Sequence, residues 1–185
     1  MSYYTYFDSP LQPMMLASDG VSLTGLYMVE HKYGPEMAEG WVCRDDALPF
    51  DEVKRQLNEY FAGRRTTFDL PLAPQGTQFQ GRVWEELQKI PYGMTISYGE
   101  LARRVGNANA SRAVGLANGR NPISIIVPCH RVIGADGKLT GYGGGLPRKE
   151  ALLAFEAAVL AYGARPFLLL SDDAAEEPPH QMAFF

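Results

Sequence analysis

The chain has 185 residues, of which 46% are hydrophobic and 21% charged, with a formal net charge of −4 at pH 7. These values are typical of a globular protein with a well-buried core in one domain or two small ones. No apolar run is long enough to span a membrane, and the first ten residues lack the basic and apolar regions of a signal peptide. We therefore expect a cytoplasmic protein without membrane contact, whose two cysteines, Cys43 and Cys129, are reduced thiols.

The charge is unevenly distributed along the chain. Residues 1–77 carry six basic and eleven acidic side chains, residues 78–156 carry ten and six, and residues 157–185 carry one and four. The part that contains Cys129 is therefore basic, which favours a local surface for a polyanion. The three histidines and two cysteines show no ligand spacing, so we predict no metal site.

The first part of the chain is predicted to form a small α+β domain. Apolar alternation around Asp19-Gly20 predicts a β-hairpin over 12–29. Helical spacing predicts a helix over 49–62 that ends at Gly63, and 66–70 is predicted to add a strand. The Pro-containing stretch 69–76 is typical of a linker, so we limit the first domain to residues 1–76. Six residues are candidates for the inner face of the hairpin: Met14, Leu16, Val21, Leu23, Leu26 and Met28.

The second part, over residues 77–170, is predicted to be largely helical. Thr77 with Gln80 and Ser97 with Glu100 have the spacing of capping boxes. The first opens a helix with an apolar stripe, and the second opens a helix over 98–105. A turn at 107–109 and a further helix over 110–119 then complete a helix-turn-helix pattern. The stripe of the first helix consists of Val83, Trp84, Leu87 and Ile90.

The helix over 110–119 is unusually rich in small residues. Such a surface serves either close helix packing or close approach of the backbone to a ligand, and the pattern leaves both open. Arg112 would project from it as a single basic side chain. The small residues are Ala110, Ala113, Gly115, Ala117 and Gly119.

The segment Val127-Pro-Cys-His-Arg-Val132 is the strongest candidate for a reactive site. The β-branched run 125–127 predicts a short buried strand, and Pro128 suits the first turn of a helix. Cys129 would then lie at a helix N-terminus, whose positive potential favours a thiolate. The alternative is a buried structural cysteine. His130 is adjacent in sequence and cannot easily face Cys129, so proton transfer between them would use a bridging water and a third group to orient the imidazole.

A glycine-rich loop over 141–145 and a final helix follow the cysteine. Three consecutive glycines either provide flexibility or allow main-chain N–H groups to contact a ligand. The helix is predicted over 146–162, and it contains Glu156, the candidate third group behind His130. Its predicted buried residues are Leu152, Leu153, Phe155 and Val159. The acidic segment 171–185 is predicted to be a disordered tail.

Four segments, 96–102, 111–115, 121–132 and 141–146, together resemble the O6-alkylguanine-DNA alkyltransferases, also called methylated-DNA–protein-cysteine methyltransferases. The likeness covers residues 78–160 strongly and the N-terminal part more loosely. It implies an α+β fold with a ribonuclease-H-like N-terminal domain and a helical C-terminal domain. It also implies that the helix-turn-helix binds the minor groove, in contrast to the usual major-groove docking of this motif.

The resemblance implies a role for each residue of the reactive site. Cys129 is the nucleophile that takes the alkyl group, His130 accepts the thiol proton through water, and Glu156 orients His130. Asn121 holds the active-site turn, and Tyr98 donates a hydrogen bond or proton to N3 of the leaving guanine.

The resemblance also implies how DNA and the damaged base are held. Arg112 fills the gap left by the flipped nucleotide, on a helix face that includes Ala110, Ser111, Ala113 and Gly115. The carbonyls of Cys129 and Val132 read the exocyclic amine, the Gly143 N–H contacts O6, and Tyr142 lines the pocket. Some relatives carry Ser in place of Gly143, which leaves a main-chain contact unchanged.

The implied function is repair of double-stranded DNA that contains O6-alkylguanine, with O4-alkylthymine as a second candidate lesion. The thioether on Cys129 would be permanent, so each chain acts once, as a monomer and without a cofactor. Three alternatives remain open: an alkyltransferase-like protein that only binds damage, a cysteine hydrolase that uses Cys129, His130 and Glu156, and a helix-turn-helix transcription regulator. The presence of Cys129 argues against the first, and turnover or sequence preference would mark the other two.

Overall fold

The computed structural model describes residues 2–28, 31–35 and 40–167. The tail predicted for 171–185 lies outside the described residues. In the described part, no helix is long and apolar enough to cross a membrane.

The N-terminal part forms a four-stranded sheet. Its strands are β1 (Ser2–Phe7), β2 (Met14–Ser18), β3 (Leu23–Met28) and β4 (Trp41–Cys43), in the order β3-β2-β1-β4. The first three strands are antiparallel neighbours, whereas β4 pairs with β1 in parallel. The predicted hairpin corresponds to β2 and β3 and is confirmed, while β1 and β4 were not predicted.

The inner face of the hairpin carries five of its six predicted residues. Met14, Leu16, Leu23, Leu26 and Met28 are each at most 3% exposed. Val21 is 69% exposed, so that part of the prediction was wrong. The residue lies in the turn between β2 and β3, where strand alternation no longer determines which side faces the core.

Helix α1 (Phe50–Phe61) packs on this domain and confirms the helix predicted over 49–62. Gly63 follows with a φ of +68°, a left-handed conformation that glycine adopts without strain. The strand predicted over 66–70 was wrong. The Gln56 side-chain amide donates to the Asp69 carbonyl (2.8 Å) and accepts from its N–H (2.9 Å). The main chain at Asp69 is satisfied by a side chain, and the bridge to β3 comes later, where Leu72 pairs with Leu23.

The C-terminal part, as far as residue 167, is built on four α-helices. Helices α2 (Gln78–Gln88), α3 (Tyr98–Arg104) and α4 (Ser111–Gly119) confirm the predicted helices, and α5 (Leu146–Tyr162) has the predicted limits. The predicted buried stripe of α2 and three of the four apolar residues predicted for α5 are buried, but Leu153 is only half-buried.

The two predicted capping boxes have different outcomes. Thr77 and Gln80 form a complete box at the start of α2. At the start of α3, the Ser97 hydroxyl accepts from the Glu100 N–H (3.1 Å), but the Glu100 carboxylate instead pairs with Arg103 and Arg104. Arginines one turn along the helix attract this carboxylate more strongly than a main-chain N–H does.

The two parts of the chain meet beside the reactive segment. The Leu26 N–H of β3 donates to the Pro122 carbonyl (2.8 Å), and the Ser124 N–H donates back to the Leu26 carbonyl (3.2 Å). A second small sheet pairs β5 (Ile96–Ser97) with β6 (Val132–Ile133) in parallel. These contacts fix both ends of the segment that carries Cys129 and His130.

Candidate active site

The residues before the cysteine form a buried turn rather than the predicted strand. Ile125 has a φ of +70°, which is incompatible with a β-strand. The Asn121 side chain organises the turn: its amide N–H groups donate to the carbonyls of Ile123 (3.3 Å) and Val127 (2.8 Å), and its Oδ1 accepts from the Ile123 N–H (3.0 Å). The β-branched run is buried as expected, but side-chain hydrogen bonds replace those of a sheet.

Cys129 lies buried at the first position of a short 3₁₀ helix, Cys129–Arg131, and is 3% exposed. Burial raises the pKa of its thiol to about 11, although a hydrogen bond from Asn121 (3.1 Å to Sγ) and the charge of Lys149 oppose this shift. The predicted position at a helix N-terminus is confirmed, but the predicted preference for a thiolate was wrong. A three-residue helix supplies little dipole, and loss of solvation dominates. The resting group is a thiol.

His130 is fully buried, and its Nε2 lies 2.9 Å from Glu156 Oε1. Because an ionised carboxylate only accepts hydrogen bonds, Nε2 carries the proton and Nδ1 is the basic nitrogen. Nδ1 has no hydrogen-bond partner among the described residues. Burial lowers the pKa of His130, against the opposing effect of Glu156, so the imidazole is neutral at rest.

Glu156 is the centre of a buried network of five hydrogen bonds. Besides His130, it accepts from the Tyr60 hydroxyl (2.8 Å), the Gly93 N–H (2.9 Å) and two guanidinium nitrogens of Arg131 (2.9 Å each). Burial alone would raise the pKa of Glu156, but hydrogen bonds from His130 and Arg131 outweigh it and lower the pKa. The carboxylate therefore stays charged and fixes the position and tautomer of the imidazole.

Lys149 is a second buried charge close to the cysteine. Its Nζ donates to the carbonyls of Val132 (2.6 Å), Thr140 (2.9 Å) and Gly141 (3.4 Å), and the residue is 0% exposed. Burial lowers its pKa to about 8, against the attraction of Cys129. Lys149 thus ties β6 to the start of the glycine-rich loop and favours the thiolate.

Tyr142 belongs to this loop, and Tyr98 lies beside its first residue, Gly141. The half-buried Tyr98 donates to the Thr140 carbonyl (2.8 Å) and packs against Gly115 of α4, where an added Cβ would lie 3.6 Å from its ring. Burial raises the pKa of Tyr98, so its hydroxyl stays protonated. Tyr142 is buried. A Cβ on Gly143 would overlap the His31 imidazole, and a Cβ on Gly144 would displace the flexible Met28 side chain, so the N-terminal domain packs closely on this loop.

Helix α4 presents Arg112 and Ala113 to solvent, while Ala110, Ser111 and Gly115 are half-buried. The helix is less smooth than predicted, because Leu116 lies one turn after Arg112 and is 51% exposed. The helix borders a cleft of about 320 Å³, whose other walls include Tyr142, Gly143 and Tyr33.

The sequence predicted Cys129, His130, Glu156 and Asn121 as one site, and the structure brings these four together. Tyr98, Tyr142, Val132 and Gly143 surround it, and Arg112 lies apart on the solvent side of α4. Three buried polar residues, Lys149, Arg131 and Tyr60, were missed. Only Arg131, inside the reactive segment, carried a sequence signal.

The fold and the site define a two-domain protein with a buried cysteine, histidine and glutamate beside a helix-turn-helix. Two family models match the chain: "6-O-methylguanine DNA methyltransferase, ribonuclease-like domain" over residues 2–74 and "6-O-methylguanine DNA methyltransferase, DNA binding domain" over residues 78–158. The chain belongs to the 6-O-methylguanine DNA methyltransferase family, and its α+β fold with a ribonuclease-like first domain is that of the family.

Named relatives agree with this membership. The methylated-DNA–protein-cysteine methyltransferase of Methanosarcina acetivorans is 53% identical over 156 residues, which cover 84% of this chain and 99% of the relative. The protein of the same name from Mycobacterium bovis is 56% identical over 156 residues, covering 84% and 93%. Among solved structures, Mycobacterium tuberculosis OGT in complex with DNA matches with a TM-score of 0.79 at 54% identity, covering 84% of this chain and 93% of that one.

Proposed function

We propose that this protein is a DNA-repair methyltransferase that moves the alkyl group of O6-alkylguanine onto its own Cys129. The observation that carries the proposal is the buried thiol next to a neutral imidazole whose Nε2–H is held by a charged carboxylate. The thiol and the imidazole are both neutral at rest, yet a proton can move from the thiol to the imidazole when a substrate binds. Family membership supports the same conclusion independently.

In the proposed reaction, the thiol proton of Cys129 passes through a bridging water to Nδ1 of His130. The sulfur attacks the alkyl carbon, an S–C bond forms, and the C–O6 bond breaks with its electron pair going to guanine. Tyr98 donates a proton to N3, so the base leaves neutral, and proton return from His130 through water restores the tyrosine. Glu156 stabilises the imidazolium that exists between these steps.

The resting pKa values set the energetic problem that the site solves. Proton transfer before attack would create a thiolate and an imidazolium. That charge separation is unfavourable, because the thiol has a pKa of about 11 and the imidazole has a lowered pKa. Proton loss is therefore best coupled to formation of the S–C bond, when charge moves from sulfur to guanine. Lys149 and Glu156 lie where they stabilise the developing thiolate and imidazolium.

We propose that α4 binds duplex DNA through the minor groove. The exposed Arg112 and Ala113, with the small residues Ala110, Ser111 and Gly115, form a narrow surface that suits this groove. Arg112 would occupy the position vacated by the flipped nucleotide. Its separation from the buried thiol supports a role on DNA rather than on the reacting atoms.

The flipped guanine would be read by main-chain groups around Tyr142. The Cys129 carbonyl accepts from the Val132 N–H and from the Asn118 side chain (3.3 Å), so the exocyclic amine would take the place of Asn118 there. The Val132 carbonyl accepts from Lys149 (2.6 Å) and would use its second lone pair for the amine. The Gly143 N–H would contact O6. Tyr98 would exchange its bond with the Thr140 carbonyl for guanine N3.

The proposal includes the organisation of the protein. Residues 1–76 form the first domain, and residues 77–170 carry the DNA-binding and active site. We propose that it acts as a monomer in the cytoplasm, where the free thiols of Cys43 and Cys129 would persist.

The test uses duplex DNA in which the methyl group of one O6-methylguanine is radiolabelled. Label should transfer to protein with a plateau of one methyl per chain, whatever the excess of DNA. Label released as a growing small-molecule pool would indicate a hydrolase, and tight binding without transfer would indicate a damage-binding protein. Equal competition by undamaged DNA of one preferred sequence would indicate a transcription regulator.

A further inference from the structure

His31 is one of the N-terminal-domain side chains that line the active-site region. His31 follows β3, and its N–H donates to the Met28 carbonyl (3.1 Å). The next residue, Lys32, donates its N–H to the Gly143 carbonyl (2.9 Å), so His31 and Lys32 are fixed to the glycine-rich loop. Its position is further defined by edge-to-face packing of the imidazole on Tyr27, with ring centroids 5.6 Å apart.

The His31 imidazole fills a gap between two parts of the reactive site. On one side its Nε2 lies 3.4 Å from the hydroxyl of Ser124, in the buried turn that leads to Cys129. On the other side it packs on Gly143, so closely that a Cβ there would overlap the ring. The imidazole thus occupies the space that a side chain at position 143 would take.

Behind His31 lies a mainly apolar cleft of the N-terminal domain. The cleft has a volume of about 280 Å³, and Met15, Tyr27, Met28 and Pro35 line it together with His31. His31 therefore separates this cleft from Ser124 and Gly143. A substituent that is larger than methyl and lies along Gly143 meets the imidazole before it reaches the cleft.

We propose that His31 is a specificity-determining residue that limits the size of the alkyl group transferred to Cys129. The inference rests on the proposed function, because it assumes that the O6 substituent lies beside Gly143. With His31 in place, small alkyl groups react best. Without it, the site opens into the apolar cleft, whose lining suits an aromatic substituent such as benzyl.

The experiment compares single-turnover transfer from two duplexes that differ only in carrying O6-methylguanine or O6-benzylguanine. The ratio of their rate constants cancels effects on DNA binding. We expect His31→Ala to raise the benzyl-to-methyl ratio by about tenfold or more, within the range that pocket size controls in enzymes. His31→Gln, which keeps most of the volume, should leave the ratio within about twofold of wild type.

The outcomes separate this inference from the function beneath it. An unchanged or lower ratio in His31→Ala, with methyl transfer intact, would overturn the role of His31 alone. Absence of methyl transfer in wild type would overturn the proposed function instead. If His31→Ala is unstable, the melting temperatures of Gly143→Ala and of the double variant provide a second test. Because the His31 ring occupies the space of a Cβ at position 143, Gly143→Ala should lower the melting temperature less in a His31→Ala background than in wild type. An equal loss in both backgrounds would overturn the proposed packing.

Discussion

Replacement of Glu156 by Gln should damage both stability and alkyl transfer, because it removes the charge at the centre of a buried network. The carboxylate accepts five hydrogen bonds from Tyr60, Gly93, His130 and Arg131. The variant leaves the buried Arg131 guanidinium without its counter-charge, a change that typically costs about 3–5 kcal/mol. For a protein of this size, the melting temperature should fall by roughly 6–20 °C.

The pH dependence of this loss follows from the direction of the pKa shift. The pKa of Glu156 is lowered by His130 and Arg131 in the folded protein, so its stabilising contribution is complete above the unfolded value of about 4.3. Protonation of Glu156 removes this stabilising contribution as the pH falls below that value. The difference in unfolding free energy between wild type and variant should therefore be full at pH 7 and narrow only below about pH 4.

Denaturant unfolding measures the stability change, and quenched-flow methyl transfer measures the rate. We expect transfer to slow by about 10²-fold, because the imidazolium loses its anionic partner. Glu150→Gln is the matched control, since Glu150 is exposed on the same helix and should change stability by less than about 0.5 kcal/mol. A Glu156→Gln variant with less than about 1 kcal/mol of destabilisation and a wild-type rate would refute this account of the network.

Variants at three further residues test separate parts of the site. Tyr98→Phe should slow transfer by at least about tenfold while DNA affinity, measured by fluorescence anisotropy, changes little, since its hydrogen bond strengthens as charge develops on guanine; equal losses in both would contradict this role. Arg112→Ala should lose most activity on duplex DNA but little on free alkylated base. If Arg112→Lys instead keeps wild-type activity, and the salt dependence of DNA binding is lower by about one unit in Arg112→Ala, then Arg112 only contacts a phosphate. The transfer rate of wild type should fall as pH rises through about 8, where Lys149 loses its charge. Lys149→Met should be slower and lack this inflection, and a variant that retains it would assign the inflection to another group.

The sequence was sufficient to predict the residues that carry local signals. Helix limits followed from capping residues and apolar spacing, as at Thr77 and Gly63, because these depend on neighbours within a few residues. The pairing of His130 with Glu156 was predicted because a buried imidazole beside a cysteine needs an acidic partner, and α5 supplied one. The resemblance to a known family then added roles that spacing alone does not define.

What the sequence could not predict depends on distant parts of the chain. Lys149 lies near the start of a helix, a position typical of a solvated lysine, and its burial results from three carbonyls that belong to other segments. The thiol pKa of Cys129 was expected to fall, but complete burial decides its direction. Likewise, Ile125 is β-branched and still adopts a left-handed conformation, because the turn held by Asn121 requires it.

The central claim is that Cys129 accepts one alkyl group permanently, and its most direct test is mass spectrometry of the protein after incubation with excess O6-methylguanine duplex. We expect the intact mass to increase by a single methyl substitution, peptide mapping to locate it on Cys129, and Cys129→Ser to remain unmodified. Cys43→Ser should behave as wild type, because that thiol is exposed and lies in the N-terminal sheet. Methyl on Cys43, or repaired DNA in excess of protein with Cys129 unmodified, would contradict the claim.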